Sequence, residues 1–481
     1  MTQRLIVIGG VAAGMSAAAK AKRVDRDMEA VVYEKSPYIS YAACGMPYFI
    51  AGDVTDYRDL LARTPEQMAK QGVEVHVGHE VTAIDPGART VTVRDLESER
   101  EFTQTYDRLV IATGARPIQP SLGCRHSDGA RHSDGARHSD GALSAPGLDL
   151  TGVFVLRSLV EGRALKRFLL ENDAGDAHKS QRAVVVGGGY VGVEMAESFR
   201  RQGLDVKMVI RSGQVMRTAL DDDVRQVVEE ELARQGVEIV VGKPVAFEGD
   251  RRIEAVVVEP GDGSGSQRHP CDVALFGIGV RPEVRLAQAV GVALGATGAI
   301  ATDDHMRTNL PDVYAAGDCA EAFHLLTGQR DVVRLGSTAN KQGRVAGTNA
   351  ADGEAAFGGV MGTMVAKAFD LAVARTGLTA VQARVLGYDV RETMVKAQDA
   401  SHYMPGVSPI HVKLVVDSAT DRLLGGQIVG RRGVAKRVDV LATALHHQLT
   451  VADLQRLDLS YAPPFAPVWD SILVAANVAA K

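Results

Sequence analysis

The stretch SYAACGMPYFI, residues 40–50, holds one cysteine, Cys44, among small residues and ahead of Gly45, Met46 and Pro47. A thiol in such a setting can act as a nucleophile, with the thiolate as its reactive form. Phe49 stands five residues further on, so no second thiol is at hand for an internal redox disulfide. Two chemistries remain for a single sulfur: a mixed disulfide with a small thiol, or a sulfenic acid formed from peroxide or oxygen. The place of Cys44 at the start of an apparent helix predicts a thiol pKa lowered by the helix field. Cys124, Cys271 and Cys319 show neither CxxC spacing nor a dense framework, so structural disulfides and a zinc cluster are not expected, and no metal is assigned.

Two other groups of residues can hold phosphates. Gly187, Gly189 and Gly192 form GxGxxG directly after AVVV. The first glycine permits the tight turn, the second lets a pyrophosphate approach the backbone, and the third lets the following helix pack closely. The earlier copy runs Gly9, Gly10, Val11, Ala12, Ala13, Gly14, with valine in the middle glycine position. Its second strand ends at Glu34, 20 residues beyond Gly14, followed by Lys35. A carboxylate there can accept from ribose hydroxyls. At the matching point of the later copy stand Ile210 and Arg211. The missing acid and the adjacent guanidinium favour a 2′-phosphate, hence NADPH, with NADH still possible.

These residues need strand–turn–helix units to position them. RLIVIGGVAAGMSAAAKAK from Arg4 and RAVVVGGGYVGVEMAESFRRQG from Arg182 share that plan, which reads as a duplicated βαβ nucleotide-binding fold. Between them RHSDGA repeats three times, Arg125 to Ala142. Its polar composition reads as a solvated insertion, and His126, His132 and His138 receive no function. EIVVGKPVAFEG and RIEAVVVEPG read as strands of a trailing hairpin, and DVALFGIGVRPE, from Asp272, as the return to the first domain. From about Gly347 the pattern changes to an antiparallel sheet with helices and no nucleotide loop.

Composition bounds the partners. The 481 residues suffice for two or three domains, and 54 basic against 59 acidic side chains give a net charge of −5. No general attraction to nucleic acid or to acidic membranes follows from that balance. Neither a signal peptide nor a membrane-spanning run is evident, and a cytoplasmic protein is expected.

YDRLVIATGARP, from Tyr106, places Thr113 and Gly114 after a strand, and VYAAGDCAE, from Val313, places Asp318 after another. Asp318 reads as lying between a strand and a helix. These stretches resemble the ATG and GD motifs of the flavin-dependent pyridine-nucleotide disulfide oxidoreductases. The whole chain apart from the RHSDGA insert follows that superfamily's order. The resemblance implies an α/β protein with two nested Rossmann-like nucleotide-binding domains, for FAD and NAD(P), plus a C-terminal α+β dimerisation domain. The expected segments are 1–120 and 276–346 for FAD, 121–150 for a linker, 151–275 for NAD(P)H and 347–481 for the interface. Asp318 should bind the ribityl chain or neighbouring FAD atoms.

Within the superfamily, SYAACGMPY together with YAPPFAPVWD is similar to the coenzyme A disulfide reductases. That similarity implies reduction of coenzyme A disulfide through a mixed disulfide on Cys44, in a homodimer. It further implies Tyr403 and Tyr461 reaching the partner's site, and Ser16, Lys20, Arg23, Ser40 and Asn340 as ligand positions. Unaided, Lys20 and Arg23 read as a solvated helix face. Ala43 stands where the family commonly has asparagine, and Ala12 where the sulfenic-acid oxidases and peroxidases carry a histidine. An NAD(P)H oxidase or peroxidase, a persulfide or polysulfide reductase, and a non-catalytic flavoprotein redox sensor remain the alternatives.

Overall fold

A computed structural model of the chain describes residues 2–118, 147, 149–171 and 181–480. Cys124 and the RHSDGA tract with its three histidines lie outside these residues. Strands rich in Val, Ile and Leu, apolar on both faces, form the centres of two parallel sheets, as parallel strands covered by helices require. In the first sheet the order is Val313–Ala315, Arg108–Ile111, Arg4–Ile8, Glu29–Glu34, Val73–Val77. In the second it is Val237–Val241, Asp205–Ile210, Arg182–Val186, Val273–Phe276, Val153–Val155. Each is accompanied by a three-stranded antiparallel sheet, His79–Thr105 for the first and Lys243–Pro270 for the second.

The register shows how literal the duplication is. Ile8 pairs with Tyr33 as Val186 pairs with Val209. The amide of Gly9 donates to Tyr33 O at 2.9 Å and that of Gly187 to Val209 O at 3.0 Å. Glu34 and Ile210 therefore occupy equivalent strand ends.

Three expectations need correction. The strand Val273–Phe276 still belongs to the second sheet, beside Arg182–Val186, and the chain crosses back only at Val280–Pro282, which pairs with Ala115–Pro117. No helix follows Asp318: Ala320 N closes a turn onto Gly317 O at 2.9 Å, and the next helix is Gly336–Ala350. That helix also runs through Gly347, where the sequence suggested a change of domain. It continues because its small residues pack against the helix Ala12–Val24. A Cβ on Gly343 would lie 2.2 Å from Ala13 O, and one on Gly347 2.1 Å from Ala17 O. The second FAD segment is thus locked onto the first by backbone contact that only glycine allows.

The C-terminal part is a five-stranded antiparallel sheet in the order Met364–Ala368, Leu371–Gly377, Leu423–Gly430, Pro409–Asp417, Val390–Gln398. The helices Val434–His446 and Ser471–Ala479 complete its core. Lys413, buried in that sheet, meets Asp221, Asp223 and Glu392 at 2.6–3.6 Å and so ties it to the second nucleotide unit. Among the described residues, no helix is long and apolar enough to cross a membrane.

Candidate active site

The first turn is shaped for a dinucleotide. Gly9 has φ +104°, and a Cβ there would lie 2.3 Å from Ala112 O; one on Gly14 would lie 1.8 Å from Gly9 O. Val11 caps the helix Ala12–Val24 without a side-chain hydrogen bond, leaving the amides of Ala12, Ala13 and Gly14 to a phosphate. Glu34 is buried: Oε2 accepts from Gly10 N at 2.6 Å and Oε1 from Ser36 N at 2.8 Å. Burial pushes its carboxyl above the usual range, against the pull of those two amides. Each carboxylate oxygen keeps lone pairs for a hydroxyl. Lys35 is exposed beside it.

Across the turn, Thr113 Oγ1 donates to Glu283 O at 2.6 Å, and Glu283 N donates to Gly114 O at 2.9 Å. The ATG motif thereby clasps the returning second segment. Asp318 pairs with Arg157, Nη2 to Oδ2 at 3.1 Å, and Arg157 Nε donates to Ala115 O at 3.0 Å. Sequence reasoning missed Arg157, which follows a short strand and carries no motif. These elements fit FAD: glycines that a Cβ would disrupt, uncapped helix amides, a buried strand-end acid and a polar Asp318.

The second turn repeats the design. Gly187 has φ +116°, with a Cβ 2.3 Å from Gly277 O; a Cβ on Gly192 would lie 2.2 Å from Gly187 O. A Cβ on Gly189 would meet nothing within 4 Å, so its face is open. Gly189 caps the helix Tyr190–Arg201 with no side-chain bond. Arg211 is exposed just past the strand end, and so are Ser212 and Arg217.

Cys44 sits in a single 3-10 turn, Ala43–Gly45, ahead of the helix Met46–Ala51. Ser40 N donates to Gly10 O at 2.8 Å, which fastens this segment to the first nucleotide turn. Cys44 presents surface to solvent. The expected lowering of its pKa does not occur. Partial burial pushes the thiol up, the charges of Glu194 and Asp318 push the same way, and Arg157 pulls back. A six-residue helix has too little dipole to overcome desolvation and two carboxylates.

Glu194, on the helix Tyr190–Arg201, was also missed. It lies among Val193, Met195 and Ala196, and an acid within an otherwise apolar stretch was the available signal. Tyr48 Oη donates to Glu194 Oε1 at 3.4 Å.

The ligand positions on the first helix come together in part. Ser16 Oγ donates to Asn340 Oδ1 at 2.6 Å. Lys20, one turn further, lines a cavity of about 630 Å³ with Lys341, Arg344 and His446. Arg23 is exposed and does not line it. Tyr403 and Tyr461 are 62% and 48% exposed, too open for core packing. Their loops touch: Ser401 N donates to Pro463 O at 3.0 Å. Phe465, Val468 and Trp469 extend the exposed apolar surface beside them.

Known proteins resemble this chain in sequence and fold. Residues 3–343 match the pyridine nucleotide-disulphide oxidoreductase family, and residues 364–471 match the dimerisation domain of that family. An NAD(P)H coenzyme A polysulfide/persulfide reductase of Pyrococcus horikoshii is 37% identical over 479 residues, 99% of this chain and 98% of the relative. A coenzyme A disulfide reductase of Staphylococcus haemolyticus is 30% identical over 468 residues, 96% of each chain. The reduced CoADR-RHD of Bacillus anthracis superposes with a TM-score of 0.89 at 32% identity, over 100% of this chain and 80% of that one. An engineered water-forming NADPH oxidase solved with NADPH, derived from the NADH oxidase of Lactobacillus brevis, gives 0.87 at 28% identity, over 99% and 98%. With both nucleotide turns, the flavin motifs and the dimerisation sheet in place, the chain belongs to the pyridine nucleotide-disulphide oxidoreductase family and is an FAD- and NAD(P)H-dependent oxidoreductase.

Proposed function

We propose that this protein uses NADPH to reduce coenzyme A disulfide to two coenzyme A thiols, through a mixed disulfide on Cys44. The observation that carries the substrate is the line of groups along the helix Ala12–Val24. Cys44 is fastened at its N-terminal end through Ser40, Ser16 and Asn340 stand midway, and the basic cavity of Lys20, Lys341 and Arg344 opens further along. Ala12 to Lys20 spans about 12 Å of helix axis. A thiol at one end of an extended arm and phosphates at the other fit that line, and coenzyme A has this form.

Bound FAD supplies the two-electron connection between nicotinamide and sulfur. The Cys44 thiolate attacks one sulfur of the disulfide, the S–S bond breaks, and the first coenzyme A departs as a thiolate that takes a proton. Two electrons and one proton-equivalent from NADPH, with one further proton from solvent over the cycle, release the second thiol and restore Cys44. Tyr461, with Tyr403, of the partner subunit donates a hydrogen bond to the departing thiolate. Their exposure and adjoining loops support that role across a homodimer.

The nicotinamide preference rests on Arg211. The engineered oxidase that binds NADPH gained an arginine, a serine directly after it and a second arginine five positions later, next to a removed aspartate. This chain has Ile210, Arg211, Ser212 and Arg217 at that spacing. It keeps Gly192, whereas the engineered set also exchanged a glycine for alanine.

Protein purified without reductant is to be weighed intact. A coenzyme A adduct on Cys44 that NADPH removes, and that Cys44→Ser never carries, is the expected result. An oxygen-sized increment in its place overturns the reading. Steady-state rates with coenzyme A persulfide in parallel decide which acceptor the same site prefers.

A further inference from the structure

Three polar residues of the C-terminal sheet stand in one cross-strand row. Arg375 pairs with Gln427 on the next strand, and Gln427 with Lys413 on the one after. Cross-strand partners point to the same face of a sheet, so the three side chains form a line across it. That line meets one segment of the second nucleotide unit in matching order. Arg375 Nη1 donates to Thr218 O at 3.0 Å and to Ala219 O at 3.4 Å, while its Nη2 donates to Gly377 O at 3.0 Å. Gln427 Oε1 accepts from Asp221 N at 2.8 Å, and Gln427 Nε2 donates to Asp221 Oδ2 at 2.5 Å. Lys413 Nζ donates to Asp223 Oδ1 at 2.7 Å.

The segment so held continues the loop that begins at Arg211. Met216, buried and at φ +51°, donates its main-chain N–H to Gly188 O at 2.6 Å. Arg217, exposed, stands between that bond to the glycine turn and the Arg375 bond to Thr218. Its backbone is therefore fixed on both sides while its side chain projects outward. Three acids follow, Asp221, Asp222 and Asp223, and unpaired carboxylates at this point would repel a phosphate. Each of them is engaged. Asp221 is buried and accepts from Ala380 N at 3.0 Å, Asp222 pairs with Arg225 at 2.9 Å, and Asp223 pairs with Lys413. Among the described residues, no acid pairs with Arg211, Arg217 or Arg375.

We propose that this row positions the loop for the 2′-phosphate of NADPH, and that Arg375 is the positioning residue through which the C-terminal sheet biases the choice between NADPH and NADH. Arg375 acts through Thr218 and Ala219. With those carbonyls held, Arg217 projects from a fixed point, and the loop is ordered on folding rather than on binding. A guanidinium suits the task because its planar fork reaches carbonyls of two separate segments, Thr218 and Gly377, at once. NADH carries no phosphate for Arg217 and gains nothing from that order. This rests on Arg211 and Arg217 meeting the 2′-phosphate, not on which sulfur compound accepts the electrons.

The test is calorimetric titration of FAD-loaded protein with NADP⁺ and with NAD⁺, which differ only in the 2′-phosphate and leave oxidised flavin unreduced. Arg375→Gln should weaken NADP⁺ about three- to tenfold, as expected for losing one or two hydrogen bonds to the backbone, and lower the ratio of NADP⁺ to NAD⁺ affinity by the same factor. Arg375→Lys keeps the charge but not the fork, and should lower the ratio less. In an Arg217→Ala background Arg375→Gln should have no further effect, because the group it positions is gone. Equal losses for both coenzymes, the mark of a merely structural role, overturn the proposal, and so does an Arg375→Gln loss that persists undiminished beside Arg217→Ala. If the Gln variant does not fold, Arg375→Lys decides, and an unchanged ratio there overturns the proposal. Arg211→Ala and Arg217→Ala by themselves test the reading beneath it. If neither weakens NADP⁺, both fall; if they do and the Arg375 variants do not, the positioning role alone falls.

Discussion

The two nucleotide units are near copies in backbone and opposites in side chain. Gly9 and Gly187 share a left-handed conformation, Gly14 and Gly192 the same closeness to the preceding turn. Ser40 and Met216 both adopt positive φ and donate to the carbonyl of the second glycine, at 2.8 and 2.6 Å. The differences are confined to a few positions. Beside Gly10 stands Glu34, and beside Gly188 stands Ile210. Val11 covers what Gly189 leaves open. Backbone amides recognise pyrophosphate in either unit without regard to the rest of the nucleotide. Selection between a 2′-hydroxyl and a 2′-phosphate falls to the residue at the end of the second strand. The duplication therefore conserves the anion site and diversifies the ribose site.

The comparison breaks most sharply at the first glycines. Gly9→Ala places a Cβ 2.3 Å from Ala112 O and adds about 1–3 kcal/mol of backbone strain. The purified variant should carry almost no flavin, measured by its absorbance. Gly187→Ala has the same local fault but should retain flavin and lose NADPH binding, measured by titration. Equal flavin loss in both would mean that the units are not separable. Next in size, Arg211→Ala should raise KM for NADPH about 10- to 100-fold, since one charge-assisted bond is worth about 1.5–3 kcal/mol. KM for NADH should stay unchanged, and parallel steady-state assays read both. The smallest effect belongs to Glu34→Gln, a loss of about 1 kcal/mol in FAD affinity. The raised pKa adds a pH signature. The ionised carboxylate is the acceptor, so FAD should be released as pH falls through a range above that of an ordinary glutamate. Equilibrium dialysis against pH checks this, and Glu34→Gln should flatten the curve.

Much of the fold was readable because its signals are local. Strand, glycine turn and helix follow one another within about 20 residues, and the first and third glycines of each turn answer to a backbone demand that no other residue meets. The same locality explains the errors. Val273–Phe276 looks like any buried strand, and its sheet is decided by pairing with Arg182–Val186, far away in sequence. The helix Gly336–Ala350 overran the expected boundary because Ala13 and Ala17, on another segment, receive Gly343 and Gly347. Such contacts leave no periodicity to read.

The site divides along the same line. Sequence alone determined that no second cysteine stands four or five residues from Cys44, that two glycine-rich turns follow strands, and that Glu34 and Ile210 differ, since residue type and spacing decide these. The placement of Ser16 against Asn340, 324 positions apart, needed the folded chain. So did the sign of the Cys44 shift. A helix N-terminus predicts a lowered pKa, but the outcome depends on burial and on the charges of Glu194, Asp318 and Arg157, brought together from three separate segments. Electrostatic energies depend on distance and surrounding dielectric, and tertiary structure sets both.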